Sequence, residues 1–311
     1  MKSREELFAS SEHNELLSFY QSFSTFAEFR DFFESRGKAE VKVVHKAGRE
    51  NLPIVAVVPT ASIDGVLAKS FSSHFPEIDV VFVESQGPRF NFSHSMNIGI
   101  REALTLGKKW IMLSNDDVKP SRPISHLLKK LEQSEPRRWY KPLMFSENRQ
   151  IPTSWILCRL PRRGVVSALW DLTHRGTPES SSTYHLIRHF ARLFGLSPIV
   201  AVQTLPLQSL TDKVVSMFRI PGTPRFLNVQ PLAVLDSEVI SRFSFDESFV
   251  NACEDMDLSW RLANNGCQGS LIDYRVETAG SASLGRTRAR WLRYGLSGRL
   301  LFAGKFGRAL T

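Results

Sequence analysis

The runs IVAVV (residues 54–58), DVVFVE (79–84) and KWIMLS (109–114) decide the fold of this 311-residue chain. Each run is short and apolar, which is the pattern of a buried strand. Segments of helical length separate the three runs. Strands that alternate with helices predict βαβ units, and therefore an α/β domain whose Rossmann-like, mostly parallel central sheet is flanked by helices.

The segment between the second and third runs has a clear helical period. It predicts a helix from about Ser93 to Leu106, and Gly107 is suited to end that helix. Asn97 lies off its apolar stripe. The residues of the predicted buried stripe are Met96, Ile100, Ala103 and Leu104.

The first fifty residues predict a helical extension in front of the α/β domain. Five phenylalanines follow one another at the spacing of a single helix face, and packing of that face on the main core is the favoured interpretation. Contact with a dimer partner or a membrane is the alternative. These residues are Phe19, Phe23, Phe26, Phe29 and Phe33.

Residues 134–226 show no clean period, and they mix proline, arginine and apolar runs. Within them, residues 183–196 predict a basic amphipathic helix. Regular patterning returns near Phe226.

The composition and charge limit the function classes. The net charge is +9 and the pI is about 9.6, which favours anionic partners such as phosphorylated small molecules, anionic lipid or nucleic acid. The three cysteines are scattered, and they indicate neither a zinc site nor a disulfide framework. Because no apolar run approaches the ~20 residues of a membrane helix, we expect a cytoplasmic protein that can rest on the inner face of a membrane.

The C-terminal segment from Thr278 to Thr311 is basic and contains no acid. Its apolar residues are interleaved with cations, so a helical segment is expected. Three interpretations are open: a solvated helix face, binding of a diphosphate, or docking on anionic lipid. The basic residues are Arg286, Arg288, Arg290, Arg293, Arg299, Lys305 and Arg308.

A first group of acids follows the third strand directly, in Ser114-Asn115-Asp116-Asp117-Val118. Ligands of open α/β sheets bind beyond the carboxyl ends of the strands. Two carboxylates there suit Mg²⁺ or Mn²⁺, which prefer oxygen ligands and share them with substrate phosphates. The structural alternative is a polar turn, because Asn and Asp favour turns.

A second group of acids opens a predicted helix, with the sequence EDMDLSWRLA over residues 254–263. Asn251 could cap this helix, and Glu254 would complete a capping box. Asp257 is spaced to pair with Arg261 on the next turn, and Gly266 ends the helix. Acids in a first helical turn also complement the helix dipole, so this group has a complete structural explanation.

Together these motifs resemble the family 2 glycosyltransferases with the GT-A fold. The resemblance rests on the order of Val57-Val58-Pro59-Thr60, Asn97-Ile98-Gly99, Leu113 to Val118, Phe245-Asp246-Glu247 and Glu254 to Arg261. It covers about residues 53–133 and 226–300. It implies a GT-A domain over residues 51–311 after the extension 1–50, with residues 134–226 as an acceptor-side insertion.

The resemblance also implies an activity and a set of site residues. A sugar would pass from a nucleotide-diphosphate sugar to a hydroxyl of a glycan, polysaccharide or lipid-linked acceptor, with inversion and with a divalent metal (Mn²⁺ or Mg²⁺). Asp117 would bind the metal, and Asp255, with Glu254 as its rival, would be the catalytic base. The donor-binding residues implied are Pro59, Thr60, Glu84, Asn97, Asn115 and Asp116.

The chain departs from the family pattern at two places. Glu84-Ser85-Gln86-Gly87 stands where an acidic turn is usual, and Glu277 stands near the position of a late histidine. Either Glu277 replaces that histidine as an oxygen ligand of the metal, or the metal has fewer protein ligands. One alternative is a sugar-phosphate nucleotidyltransferase. Such enzymes generally carry a Gly-rich basic loop after the first strand, and the corresponding loop here, Pro59 to Gly65, has no such sequence, which argues against this alternative. A non-catalytic sugar-nucleotide-binding protein is another, and a nucleic-acid-binding protein is disfavoured because no known recognition motif is present.

Overall fold

The computed structural model describes residues 2–133, 138–147, 149–151, 153–160, 181–204, 217–267, 269–279 and 287–307. Within them lie a nine-stranded sheet, a three-stranded sheet and helices on both sides of the larger sheet. The strands are β1 (Lys42–Lys46), β2 (Ile54–Thr60), β3 (Asp79–Glu84), β4 (Trp110–Ser114), β5 (Val118–Pro120), β6 (Trp139–Ser146), β7 (Arg149–Gln150), β8 (Ser154–Arg159), β9 (Ile199–Thr204), β10 (Phe226–Leu227), β11 (Leu232–Asp236) and β12 (Gly269–Thr278).

The larger sheet has the order β1-β3-β2-β4-β11-β6-β12-β5, with β7 beside β6. Its centre is the parallel group β3-β2-β4 that the three apolar runs predict. Strands β6 and β12 run in the same direction as that group, whereas β1, β5, β7 and β11 run against it. The predicted α/β class is therefore confirmed, and the sheet is mixed because antiparallel strands lie between and beside the parallel ones.

The helices of the described residues surround both sheets. The predicted helix 93–106 is found one residue earlier, because the Asn91 side chain accepts a hydrogen bond from the backbone N–H of His94 and so caps it. The helices are α1 (Arg4–Ala9), α2 (His13–Gln21), α3 (Phe26–Ser35), α4 (Val66–His74), α5 (Phe92–Thr105), α6 (Ile124–Glu132), α7 (Ser181–Leu193), α8 (Ser237–Ile240), α9 (Glu254–Asn264), α10 (Arg288–Arg290) and, after a π-helical stretch (Trp291–Leu296), α11 (Ser297–Phe306).

The spacing predicted that the N-terminal phenylalanines lie on one helix, but they are distributed over α2, α3 and the turn between these helices. Phe19 belongs to α2 and Phe29 to α3, and the chain turns between them. The rings meet nevertheless, because the two helices fold against each other and place the ring centroids of Phe19 and Phe29 6.3 Å apart. The remainder of the first fifty residues includes β1, which forms the edge of the larger sheet beside β3.

Three apolar clusters form the core. Two of them cover the opposite faces of the larger sheet, with α4 and α6 on one face and α5 and α9 on the other. The third joins α1–α3 to α7, to the smaller sheet and to the C-terminal helices. Packing of the N-terminal rings on the core is thus confirmed by their burial.

The region 134–226 contains more of the main fold than its irregular sequence suggests. Strand β6 belongs to the larger sheet, and β8–β10 form the smaller one. Helix α7 confirms the basic amphipathic helix, although it begins and ends slightly earlier than predicted. Within the described ranges, no helix combines the length and the apolar character that crossing a bilayer requires.

Candidate functional site

A cleft of about 340 Å³ lies beyond the carboxyl ends of the parallel strands β2, β3 and β4. The position agrees with the general rule for ligands of open α/β sheets. The cleft brings together both acidic groups, which are far apart in the sequence. Its lining is formed by Pro59, Thr60, Ala61, Ser85, Gln86, Gly87, Phe90, Phe92, Asn115, Asp116, Asp117, Gln230, Asn251, Glu254, Asp255, Arg290 and Tyr294.

The first acidic group is held by two hydroxyls. Thr60 Oγ1 donates a hydrogen bond of 2.8 Å to Asp116 Oδ2, and Thr278 Oγ1 donates one of 3.1 Å to Asp117 Oδ2. Asp117 Oδ1 is buried and has no hydrogen-bond partner among the described residues. Burial, together with the neighbouring Asp117 carboxylate, raises the pKa of Asp116 although the Thr60 bond opposes the shift. The turn therefore brings to the cleft wall a carboxylate with one oxygen that makes no hydrogen bond to the described residues.

The second acidic group lies in the first turn of α9, but this helix does not have the predicted N-cap, Asn251. The residue at the N-cap position is Cys253, whose φ of 70° lies in the left-handed region, and no side chain caps the helix. Asn251 instead lines the cleft. The turn at Cys253 leads directly into Glu254 and Asp255, so the first helical turn brings both carboxylates to the cleft.

Glu254 and Asp255 differ in their partners. Asp255 accepts hydrogen bonds from Asn228 Nδ2 (2.7 Å) and from the Met256 N–H (2.8 Å), whereas Glu254 Oε2 is buried without a partner among the described residues. Burial raises the pKa of both carboxyls, and the Asp255 charge pushes the pKa of Glu254 higher still. The donors to Asp255 and the Lys141 ammonium oppose the shift at Asp255. The contacts therefore favour the charged form at Asp255 more than at Glu254.

Three of the predicted site residues lie outside the cleft lining. Asn97 binds both backbone polar groups of Phe245, so its amide joins α5 to the segment before α9. Glu84 accepts a 2.7 Å hydrogen bond from the Ile63 N–H and orders the loop after β2.

Glu277, the third, is half exposed on β12 and lies 3.3 Å from Arg275. Side chains alternate along a strand, so the neighbouring Thr278 faces Asp117 and Glu277 faces away. The expectation that Glu277 replaces a histidine ligand therefore has no support in its position.

The sequence analysis missed several residues of the site. Asn228 and Gln230 come from the irregular segment before β11, and no local motif marks them. Lys141 is fully buried on β6 behind the cleft, and its signal was a single cation inside the apolar strand sequence WYKPLMFS. Tyr294 joins the cleft from the π-helical stretch.

The basic C-terminal segment has several roles. Arg290 lines the cleft, which agrees with the diphosphate-binding interpretation. Arg293 donates hydrogen bonds to the carbonyls of Ala9 and Ser10, and Lys305 forms an ion pair of 2.7 Å with Asp257. Asp257 also makes the expected pair with Arg261 on α9, at 2.6 Å. Arg286 and Arg308 lie outside the described residues, and docking on anionic lipid stays a prediction.

The side chains of the cleft can be compared with the ligands that a metal ion requires. In the described part of the chain, no group of three or more His, Cys, Asp or Glu side chains is arranged to hold one. Mg²⁺, however, is commonly bound by one or two carboxylates together with substrate phosphates and water. Asp117, with its unpartnered Oδ1, and the adjacent Asp116 fit that mode.

Comparison with known proteins identifies no family. No family model matches the chain, and no curated protein matches it significantly. A solved structure to which it is similar is the substrate binding protein of the ABC transporter from Agrobacterium tumefaciens. That protein is 12% identical, and the alignment covers 86% of this chain and 99% of the other with a TM-score of 0.18. A superposition with so low a TM-score carries no information on fold or function.

Proposed function

We propose that this chain is a nucleotide-sugar-dependent glycosyltransferase of the GT-A type, similar to family 2. The observation that carries the proposal is the single cleft in which Asp116-Asp117 and Glu254-Asp255 meet at the carboxyl ends of β2–β4. Transfer of a sugar needs one site for the departing diphosphate and another for the acceptor hydroxyl. Two separate carboxylate groups in one cleft are suited to those two tasks.

The diphosphate end of the donor would lie near Asp116, Asp117 and Arg290. The leaving diphosphate gains negative charge as the glycosidic bond breaks, through an oxocarbenium-like state. The Arg290 guanidinium is a cation on the cleft wall that can stabilise this charge. Asp117, with Asp116 beside it, would hold a divalent metal, which would neutralise the same charge when bound.

The acceptor hydroxyl would be activated by Asp255. A hydroxyl is a poor nucleophile unless a base takes its proton as the new bond forms. Asn228 and the Met256 N–H donate hydrogen bonds to Asp255 and stabilise its carboxylate form. Its raised pKa makes it a stronger base than an exposed aspartate. A single displacement by the activated hydroxyl would invert the anomeric carbon.

A donor screen tests the proposal. The purified chain is incubated with UDP-, GDP- and dTDP-sugars, with Mg²⁺ or Mn²⁺, and the nucleoside diphosphate released is measured. We expect release with one nucleotide class, abolished in Asp117→Ala and kept in Asp273→Asn, a change at an exposed aspartate of β12. Release of pyrophosphate from a nucleoside triphosphate and a sugar phosphate would instead show a nucleotidyltransferase.

A further inference from the structure

The segment Asn228–Leu232 connects the two acidic groups of the cleft. On one side, the Pro231 carbonyl accepts a 2.9 Å hydrogen bond from the Asn115 N–H. On the other side, Asn228 Nδ2 donates one of 2.7 Å to Asp255 Oδ2. This five-residue segment therefore contacts both the turn that contains Asn115 and the proposed base, Asp255.

A buried cation holds this segment from behind. Lys141 is fully buried on β6, and its Nζ donates hydrogen bonds to the carbonyls of Gln230 (2.6 Å) and Leu232 (2.8 Å). A buried ammonium is costly unless it is compensated. The two carbonyls and the nearby Asp255 charge offset part of this cost, but burial still lowers the pKa of Lys141 well below its usual value. The arrangement fixes the backbone on either side of Pro231.

Gln230 is the residue of this segment that lines the cleft. Its backbone N–H is bound by Asn228 Oδ1 at 3.0 Å, so its backbone is fixed at both polar groups. Its side-chain Oε1 and Nε2 are buried, and neither has a hydrogen-bond partner among the described residues. Buried amides are normally hydrogen-bonded on both atoms, so this carboxamide has an unused donor and an unused acceptor at the wall of the cleft.

We propose that Gln230, held by Lys141, is a specificity-determining residue whose carboxamide binds adjacent hydroxyls of a sugar in the cleft. A carboxamide offers one acceptor and one donor group side by side, and vicinal hydroxyls match both. We assign Gln230 to a sugar and not to the nucleobase, because Asn228, two residues earlier, binds Asp255, where the acceptor would react. The sugar can belong to the donor or to the acceptor. This inference rests on the proposed function.

The test compares Gln230→Leu with Gln133→Leu, a change at an exposed glutamine outside the cleft. Calorimetry measures the affinity for UDP-glucose, GDP-mannose and dTDP-glucose and for the matching nucleoside diphosphates. Steady-state transfer to p-nitrophenyl glycosides measures the KM of the acceptor. Loss of two neutral hydrogen bonds is expected to weaken sugar binding about tenfold, while Gln133→Leu has no effect.

The outcomes distinguish a donor sugar from an acceptor sugar. They also distinguish failure of this inference from failure of the proposed function. Weaker binding of the nucleotide sugar with unchanged nucleoside diphosphate affinity assigns Gln230 to the donor sugar, and a raised acceptor KM alone assigns it to the acceptor. Unchanged values for both, or an equal loss for the nucleoside diphosphate, overturn the inference and leave the proposed function intact. A wild-type chain that binds no nucleotide sugar overturns both.

A second variant tests the role of Lys141 as a positioning residue. Because Lys141 binds the Gln230 carbonyl and its charge acts on Asp255, Lys141→Met should weaken the same ligand and also lower kcat. Gln230→Leu should mainly change binding or KM. Lys119→Met, at an exposed lysine of β5, is the matched control. A folded Lys141→Met variant with wild-type kcat removes Lys141 from the inference, and if that variant does not fold, Gln230→Leu decides alone.

Discussion

Local contacts give two neighbouring carboxyls, Glu254 and Asp255, different environments. Both are buried at the start of α9, but hydrogen-bond donors reach Asp255, whereas Oε2 of Glu254 is without one among the described residues. The sequence located this acidic pair and favoured Asp255 by analogy with a family. The sequence could not show why the two carboxyls differ, because Asn228 and Lys141 come from distant parts of the chain that no local motif marks.

The first prediction separates the two carboxyls by turnover. Asp255→Asn should reduce single-turnover transfer by about 10² to 10⁴, the range for loss of a general base, with donor affinity nearly unchanged. Glu254→Gln should have a much smaller effect, because burial raises the pKa of Glu254 and glutamine resembles the protonated carboxyl. Rapid-quench measurement at saturating donor checks this. Near wild-type transfer by Asp255→Asn would remove it from the mechanism.

The second prediction concerns pH and stability. The pKa of Glu254 is raised in the folded protein, so the folded state keeps a proton that the unfolded state loses above about pH 4.5. The contribution of Glu254 to the free energy of unfolding therefore falls as pH rises from there through the raised pKa, by up to about 1.4 kcal/mol per pH unit.

Glu254→Gln removes this titration, so its stability relative to the wild type should increase with pH over that range. Urea unfolding at a series of pH values measures the difference, with Glu132→Gln as an exposed control. A difference between variant and wild type that is constant with pH would contradict the assignment of the proton.

At the scale of elements, the sequence predicted what local patterns determine. The apolar runs predicted β2, β3 and β4, and the spacing of Met96, Ile100 and Ala103 predicted α5. The N-cap of α9 was predicted wrongly: capping preference favoured Asn251, whereas the residue before Glu254 is Cys253, in a left-handed turn. A turn that is set by tertiary packing leaves no such signal in the local sequence.

The third prediction tests that turn. Cys253→Val keeps a buried apolar side chain, but a β-branched residue at a φ of 70° is strained. Cys253→Gly loses the side chain and adopts that φ freely. We expect the valine variant to be the less stable of the two, by about 1–3 kcal/mol, in urea unfolding. The reverse order, normal for a core position, would show that the left-handed conformation is not retained.

At the scale of the whole molecule, the N-terminal helices pack on the C-terminal helical segment and on the end of α7. The Tyr20 hydroxyl donates to the Leu292 carbonyl, and Phe29 lies 5.1 Å from Phe194 between ring centroids. The sequence predicted that the N-terminal rings face a core. It could not predict that α7 and the C-terminal helices provide it, because these contacts join segments that are far apart in the sequence.

The fourth prediction measures this packing. Phe29 is fully buried in the cluster that joins α3 to α7. Phe29→Ala should lower the free energy of unfolding by about 3–5 kcal/mol, the usual cost of removing a core ring. Asp31→Ala, at an exposed position of the same helix, should change it by less than about 0.5 kcal/mol. Equal effects of the two changes would show that α3 does not pack as described.

The central claim is that the two acidic groups of the cleft perform separate tasks in sugar transfer, and one paired measurement tests it most directly. Nucleotide-sugar affinity, with and without Mg²⁺ or Mn²⁺, and single-turnover transfer are measured for the wild type, Asp117→Ala and Asp255→Asn. The account predicts that Asp117→Ala loses the metal-dependent part of donor binding, while Asp255→Asn binds the donor normally and fails to transfer the sugar. Unchanged metal-dependent affinity in Asp117→Ala, or parallel losses of binding in both variants, would contradict it.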